Sequence, residues 1–448
     1  TFTNKAAKEM KERIQHVAGD QGHKTWAGTF HSVFARILRI EAPKIGFPSD
    51  FSIYDSQDSK SAITAIVKNH GLDPKIYNAS AIYSRISLSK NNLISPKAYF
   101  EDADRILEDK QHKMPYLYKI YELYVRKLKR SGAMDFDDLL YQMHRLLTEN
   151  PDNVLEKYQK RFKYILVDEF QDTNQLQYSI IKKLVKYSGS TNNICVVGDD
   201  AQSIYSFRGA TIQNILNFEK DYPGISVFKL EQNYRSTSFI IKAANDIIAK
   251  NRKQIPKTIF TDKEGGERIG VIHAITDKEE ARQITNLIVE QKNRYQLSND
   301  DFAILYRTNS QSRVFEEALK GQRISYKIYG GTSFYDRKEV KDVLGYLRVI
   351  VNPRDEEAVK RVLNYPTRGI GATSISKLTS IAEKENLTLW TILKNVHHAG
   401  LPKRTENSIK QFVAMINLFQ QRVESSSAYE LAKHVVKMTG IIQDIKKA

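Results

Sequence analysis

The sequence predicts an α/β protein built on doubly wound parallel sheets and interrupted by helical insertions. Three observations carry that prediction. Tyr164-Ile165-Leu166-Val167 and Asn193-Ile194-Cys195-Val196-Val197 are short, continuous apolar runs of the kind buried on both faces of a parallel sheet. A helix-like segment separates them, which is the alternation of a doubly wound domain. Around them lie long polar stretches with helical periodicity, and no internal repeat or low-complexity segment breaks the pattern.

Taken in order, Thr1 to about Ile40 reads as helices with a short strand near Lys24 to Thr29. From about Ala42 to Asn150 the pattern is helical and rich in Lys and Tyr, with breaks at Pro43, Pro48, Pro74, Pro96 and Pro115. A second α/β stretch runs from about Ser236 to Val351, with expected strands at Ile269–His273, Phe302–Tyr306 and Tyr326–Ile328. Its last helix presents Val340, Val343, Leu344 and Leu347 on one face until Asn352-Pro353 stops it. Everything beyond reads helical. The expected segments are 1–43, 44–150, 151–233, 234–352 and 353–448.

Composition narrows the function. The 448 residues, 41% of them hydrophobic, suffice for several cores. The formal charge of +17, from 69 basic against 52 acidic residues, favours a polyanionic partner through counterion release. With 24 Tyr and 19 Phe among those basic residues, base-stacking grooves become available. The single Cys195 excludes an intrachain disulfide and a cysteine-rich zinc site, and its apolar run reads as core packing. A reducing, cytoplasmic setting is expected. No run reaches the roughly 18 to 20 apolar residues of a membrane span, and the first residues do not read as a charged-then-apolar signal peptide, so no membrane partner is expected. The adjacent His397 and His398 lack a third ligand and read as solvated loop residues. The chain starts at Thr1 without a methionine and stops within a helical pattern, so a piece of a longer protein is expected.

Ligands of doubly wound sheets sit at the carboxyl ends of the strands, where Asp168-Glu169 and Asp199-Asp200 fall. A buried strand delivering Asp then Glu suits a metal-nucleotide site, with Asp168 holding Mg²⁺ and Glu169 polarising the attacking water. In the run Gly198 to Ala210, Gln202 can sense a phosphate, while Tyr205, Phe207 and Arg208 set two aromatics beside a cation. A core position is the alternative for Phe207, but its neighbours Ser206, Arg208 and Gly209 point to exposure. In Gln232-Asn233-Tyr234-Arg235-Ser236-Thr237, Tyr234 can stack on adenine and Arg235 can reach a γ-phosphate.

Seven runs in this order resemble the motifs of the UvrD/PcrA/Rep-type superfamily 1 DNA helicases: Thr1 to Met10, Thr29-Phe30-His31-Ser32 with Arg36 to Arg39, Asp135 to Leu140, Val167 to Thr173, Gly198 to Ala210, Gln232 to Thr237 and Phe334 to Asp342. The resemblance covers nearly the whole chain. It implies two RecA-like, P-loop-type motor domains, formed by 1–43 with 151–233 and by 234–352, each with a helical insertion, 44–150 and 353–448. ATP with Mg²⁺ would lie between the motors, surrounded by Asp168, Glu169, Gln202, Tyr234 and Arg235. Single-stranded DNA would cross both, along Phe2, Thr29, His31, Tyr205, Phe207 and Arg208, with Gly369 and Gly371 touching duplex phosphate through backbone N–H groups. The implied activity is ATP-dependent, 3′ to 5′ DNA unwinding in repair or replication restart, acting on single strands and single/double-strand junctions. A monomer or weak dimer, with DNA-repair or RNA polymerase partners, goes with that resemblance.

Two departures are Ala201, where many relatives carry Asp, and Phe207, where many carry Trp; Phe keeps a smaller stacking face. The family's phosphate loop is expected before Thr1, since the sequence holds no Gly-Lys dipeptide, and further motor motifs are expected beyond Ala448. By itself the chain is therefore expected to be inactive. The rival readings are a catalytically incomplete DNA-binding fragment, the helicase subunit of a recombination helicase-nuclease, and a metal-dependent nuclease using Asp168 and Glu169.

Overall fold

The computed structural model describes residues 1–447 except 188, 253 and 330–333. The chain forms two compact units, Thr1–Val227 with Asp342–Ala448, and Phe228–Lys341.

In the first unit, Thr29 caps the helix Phe30–Glu41 by accepting a hydrogen bond from Ser32 N. Phe34, Ile37 and Leu38 recur at helical spacing and pack with Leu139 and Met143 of the helix Phe136–Glu149. The expected strand near Lys24–Thr29 does not form. A 3-10 turn, Gly19–Lys24, leads into irregular chain instead, and Trp26 is held between the guanidinium groups of Arg36 and Arg161, 4.1 and 4.8 Å from its ring.

Strands β1 (Ser52–Tyr54) and β2 (Ala133–Asp135) form one parallel pair, and β3 (Ile165–Val167) and β4 (Ile194–Val196) another. In the second pair Leu166 faces Cys195 and Val167 faces Val196. The helix Gln175–Val185 supplies Tyr178 and Ile181 to the side of Val167, with Phe170 and Phe218. The opposite side is open among the described residues. Leu166 is 75% exposed and Cys195 is exposed as well, so these strands are not buried on both faces and Cys195 is not a core residue.

Between β1 and β2 the chain is helical. Leu117, Ile120, Tyr121, Tyr124 and Leu128 line the buried face of Leu117–Arg130 at spacings of three and four. The helix Ala79–Asn91 ends in a buried lysine, Lys90, whose ammonium lies 2.7 Å from Asp135 and 2.9 Å from Asp138. Burial disfavours the charged amine, but the two carboxylates outweigh it and hold the ammonium protonated.

The helix Lys338–Val351 stops before Asn352-Pro353 as the sequence requires. Its buried face is Asp342, Gly345, Tyr346, Val349 and Ile350, with Val343 and Leu347 only flanking it and Leu344 exposed. Gly345 explains the rotation. A Cβ there would meet Val362 Cγ1 at 2.9 Å, so the missing side chain lets the helix Glu356–Leu363 approach on that face.

Charges join these C-terminal helices to those between β1 and β2. Arg348 meets Asp58 at 2.7 Å, and Lys127 meets Glu356 at 2.5 Å. The Asn352 amide donates to the carbonyls of Ser131 and Gly132. Burial alone would raise the Glu356 pKa, yet Lys127, Lys360 and Arg130 bring it down to about 2. A depressed carboxylate contributes stability that is complete above its ordinary value of 4.5 and is lost as the pH falls toward 2. The urea midpoint followed by Trp26 and Trp390 fluorescence, both in this unit, is expected to fall over that window, and Glu356→Gln to flatten this part of the slope. An unchanged slope would remove Glu356 from the acid response.

The second unit carries the helices Ser238–Ile248, Asp277–Tyr295 and Ser312–Gly321. The segments expected as strands at 269–273, 302–306 and 326–328 form no ladder among the described residues, where an isolated parallel bridge joins Gln232 to Phe260. Ile269, Val271 and Leu305 are 57, 76 and 93% exposed. An apolar run signals burial in a sheet only when a neighbouring strand satisfies its backbone groups, and periodicity does not name that neighbour.

Candidate functional site

The site grows from the end of β3. Asp168, half-buried, accepts a hydrogen bond from Thr1 Oγ1 at 3.3 Å. Glu169 next to it has φ +53°, a left-handed backbone that is unusual for a residue with a side chain and costs on the order of 1–3 kcal/mol. Its neighbours hold it there. Phe170 N donates to Val197 O at 2.9 Å, and Gln171 Nε2 donates to Glu169 Oε2 at 2.8 Å. The turn projects the Glu169 carboxylate outward while burying Phe170, Gln171 and Asp172. Burial first, then the Glu169 charge, pushes the Asp172 pKa up.

The loop after β4 is built by its own polar groups. Asp199 caps the 3-10 turn Asp200–Gln202 by accepting from Ala201 N, and its other oxygen accepts from Gln202 Nε2 at 2.7 Å. Beyond the turn, Tyr205 lies 4.9 Å from Phe2 and 6.0 Å from Phe207, ring centre to ring centre. Phe207 is 70% exposed, so it is not a core residue. The Arg208 side chain lies outside the described residues.

A second aromatic pair stands on the helices of this unit. His31, in the first turn of Phe30–Glu41, lies 5.1 Å from Phe136, which opens the helix Phe136–Glu149 and is 53% exposed. Burial lowers the His31 pKa to about 4, so the ring is neutral near pH 7 and presents an aromatic face rather than a counter-ion. Thr29 is buried and spends its hydroxyl on the helix cap. Phe136 and Gln171 fall within motif runs of the sequence that assign neither a role. For Phe136 the available signal is an aromatic directly after a capping Asp; for Gln171 it is the Gln171-Asp172 that follows Asp168-Glu169, which supports the strand-end site without showing the partners 2 and 28 residues away.

In the second unit Tyr234 is exposed and its hydroxyl donates to Gln232 Oε1 at 2.6 Å. Asn233 Oδ1 accepts from the backbone N–H groups of Arg235 and Ser236, a turn that leaves the Arg235 side chain exposed. In the first unit Gly369 has φ +74° and Gly371 caps the helix Ala372–Lys384. Asn364 Oδ1 fixes that turn by accepting from Arg368 N and Ile370 N.

The donor set suits a hard cation shared with a ligand. Asp168 and Glu169 offer carboxylate oxygens at the strand end, and no group of three or more His, Cys, Asp or Glu able to hold a metal occurs among the described residues. Mg²⁺ binds in that way, through one or two carboxylates with water and phosphate completing its shell.

Two family models match the chain. Residues 1–223 match the UvrD/REP helicase N-terminal domain, and residues 228–399 match the UvrD-like helicase C-terminal domain. Among curated relatives, a protein named ATP-dependent DNA helicase PcrA from Staphylococcus aureus is 42% identical over 443 residues. One of the same name from Staphylococcus epidermidis is 42% identical over 440 residues. Each alignment takes in 98% of this chain, and the chain spans 59% of the length of these relatives.

Proposed function

The chain belongs to the UvrD/Rep helicase family, and from that premise we propose that it works in an ATP-driven DNA helicase moving 3′ to 5′ on single-stranded DNA. The observation that carries this reading is the aromatic series Phe2, Tyr205 and Phe207: Tyr205 and the exposed Phe207 belong to the loop that follows β4, Phe2 packs on Tyr205 from the N-terminal segment, and the neighbouring strand β3 ends in Asp168 and Glu169. In this reading ATP is the nucleotide, and Mg²⁺, when bound, neutralises the phosphate charge that develops during transfer. Asp168 holds the cation, directly or through water. Glu169 orients and polarises the attacking water, Gln202 senses the γ-phosphate, and Tyr234 and Arg235 meet the base and the γ-phosphate. The DNA track comprises Phe2, Thr29, His31, Tyr205, Phe207 and Arg208, with Gly369 and Gly371 at the duplex.

The architecture that accompanies this reading is two RecA-like motors, 1–43 with 151–233 and 234–352, with helical insertions at 44–150 and 353–448. A cytoplasmic role in repair or replication restart at single/double-strand junctions fits a charge of +17. No helix among the described residues is long and apolar enough to cross a membrane.

Fluorescence anisotropy with labelled oligo-dT tests the track. Phe207→Ala is expected to weaken binding by about 1–3 kcal/mol, the worth of one stacked base, whereas Phe207→Trp keeps the affinity. Equal affinity for wild type and Phe207→Ala would take Phe207 off the DNA path.

A further inference from the structure

We propose that Gln171 is the positioning residue that ties Glu169 to the loop bearing Tyr205 and Phe207, so that DNA seated on those rings sets the rate of ATP hydrolysis through one buried carboxamide. The inference rests on the roles given above to Glu169 and to the aromatic loop. Gln171 is 1% exposed. Its Nε2 donates to Glu169 Oε2 at 2.8 Å, and its Oε1 accepts from Asp199 N at 3.0 Å. A carboxylate only accepts and a backbone N–H only donates, so the two partners fix which way the amide faces. A planar amide that donates at one end and accepts at the other passes a shift of Asp199 on to Glu169.

The rest of the loop hangs from the same short segment. Ser203 donates its hydroxyl to the Gln171 carbonyl at 3.3 Å. At the far end Ala210 bridges Asn174, Thr211 N donates to Thr173 O at 3.0 Å, and the Asn214 amide donates to Thr173. Both ends of the aromatic loop are thus fastened to residues 171–174, directly after Glu169. Gly198 makes the close approach at the near end possible. A Cβ there would lie 2.5 Å from Gln171 Oε1 and 3.2 Å from Gln171 N. Burying an amide costs free energy unless both its ends are bonded, and a Met of similar volume would fill the space without that cost. The two hydrogen bonds account for a polar residue at this position.

The test is steady-state ATP turnover by the whole protein with and without oligo-dT, for wild type, Gln171→Met and Gly198→Ala. The first variant removes the link and keeps its volume; the second keeps the amide but forces it aside, and serves if the first does not fold. In each folded variant the ratio of DNA-stimulated to unstimulated kcat is expected to fall by about tenfold or more, with the KM for ATP and the Kd for oligo-dT within about twofold of wild type. A ratio at the wild-type value in either folded variant overturns the proposal. So does a fall matched by equal losses in KM and Kd, which marks a merely structural role. Wild type that DNA does not stimulate would instead defeat the helicase reading, and the two failures are told apart by the protein in which they appear.

Discussion

Replacing Glu169 with Gln is expected to cut kcat for ATP hydrolysis by roughly 10² to 10⁴, the range for losing a positioned acid-base group, while KM and DNA affinity stay near wild type. The substitution is nearly isosteric. A Gln at this position still offers an oxygen to Gln171 Nε2, so the turn after β3 and its left-handed backbone keep their main tether. What disappears is the negative charge proposed to orient and polarise water. A charge in that role acts on the attacking water and not on the bound ground state, so the loss is expected in kcat. Single-turnover hydrolysis separates chemistry from product release, and an unchanged chemical step would remove Glu169 from the reaction.

Lys90→Met is expected to cost the first unit about 3–5 kcal/mol, because breaking a buried pair leaves its partners' charges uncompensated. Lys90 is 1% exposed and is shared by Asp135 and Asp138, which are buried themselves. Those carboxylates also form the reciprocal cap that starts the helix Phe136–Glu149. Loosening that start frees Phe136, which packs on His31, so a weaker grip on single-stranded DNA is expected to accompany the loss of stability. Urea unfolding followed by Trp26 and Trp390 fluorescence measures the first effect. Adding Asp135→Asn and Asp138→Asn should recover part of it, since removing both sides of a buried pair costs less than removing one. A loss below about 1 kcal/mol in Lys90→Met would mean that water reaches the carboxylates.

Much of the local structure around the candidate site was legible in the sequence because its logic is local. An apolar run followed by Asp-Glu says where a strand ends and what it delivers, and β3 ends there. The run around Phe207 announces exposure through its neighbours, and the ring is exposed. The stop of a helix before Asn352-Pro353 is local in the same way. What escaped depends on distant partners. Cys195 and Leu166 look like core residues in an apolar run, but what covers the second face of a sheet is not encoded in the strand. The buried face of Lys338–Val351 includes Gly345, where the missing side chain lets a neighbouring helix approach, something an apolar pattern alone does not show. Gln171-Asp172 supports the strand-end site, but the bridging contacts of Gln171 come from both strand ends at once and are not encoded locally, and the segments at 269–273 and 302–306 need pairing that periodicity does not supply.

The most direct measurement of the central claim is ATP hydrolysis by the whole protein in Mg²⁺ buffer, with oligo-dT, with blunt duplex DNA of the same length, and without DNA. The account predicts many-fold stimulation by the single strand, little by the duplex, and loss of that stimulation as salt displaces the phosphate contacts. Hydrolysis at the same rate in all three conditions would contradict it.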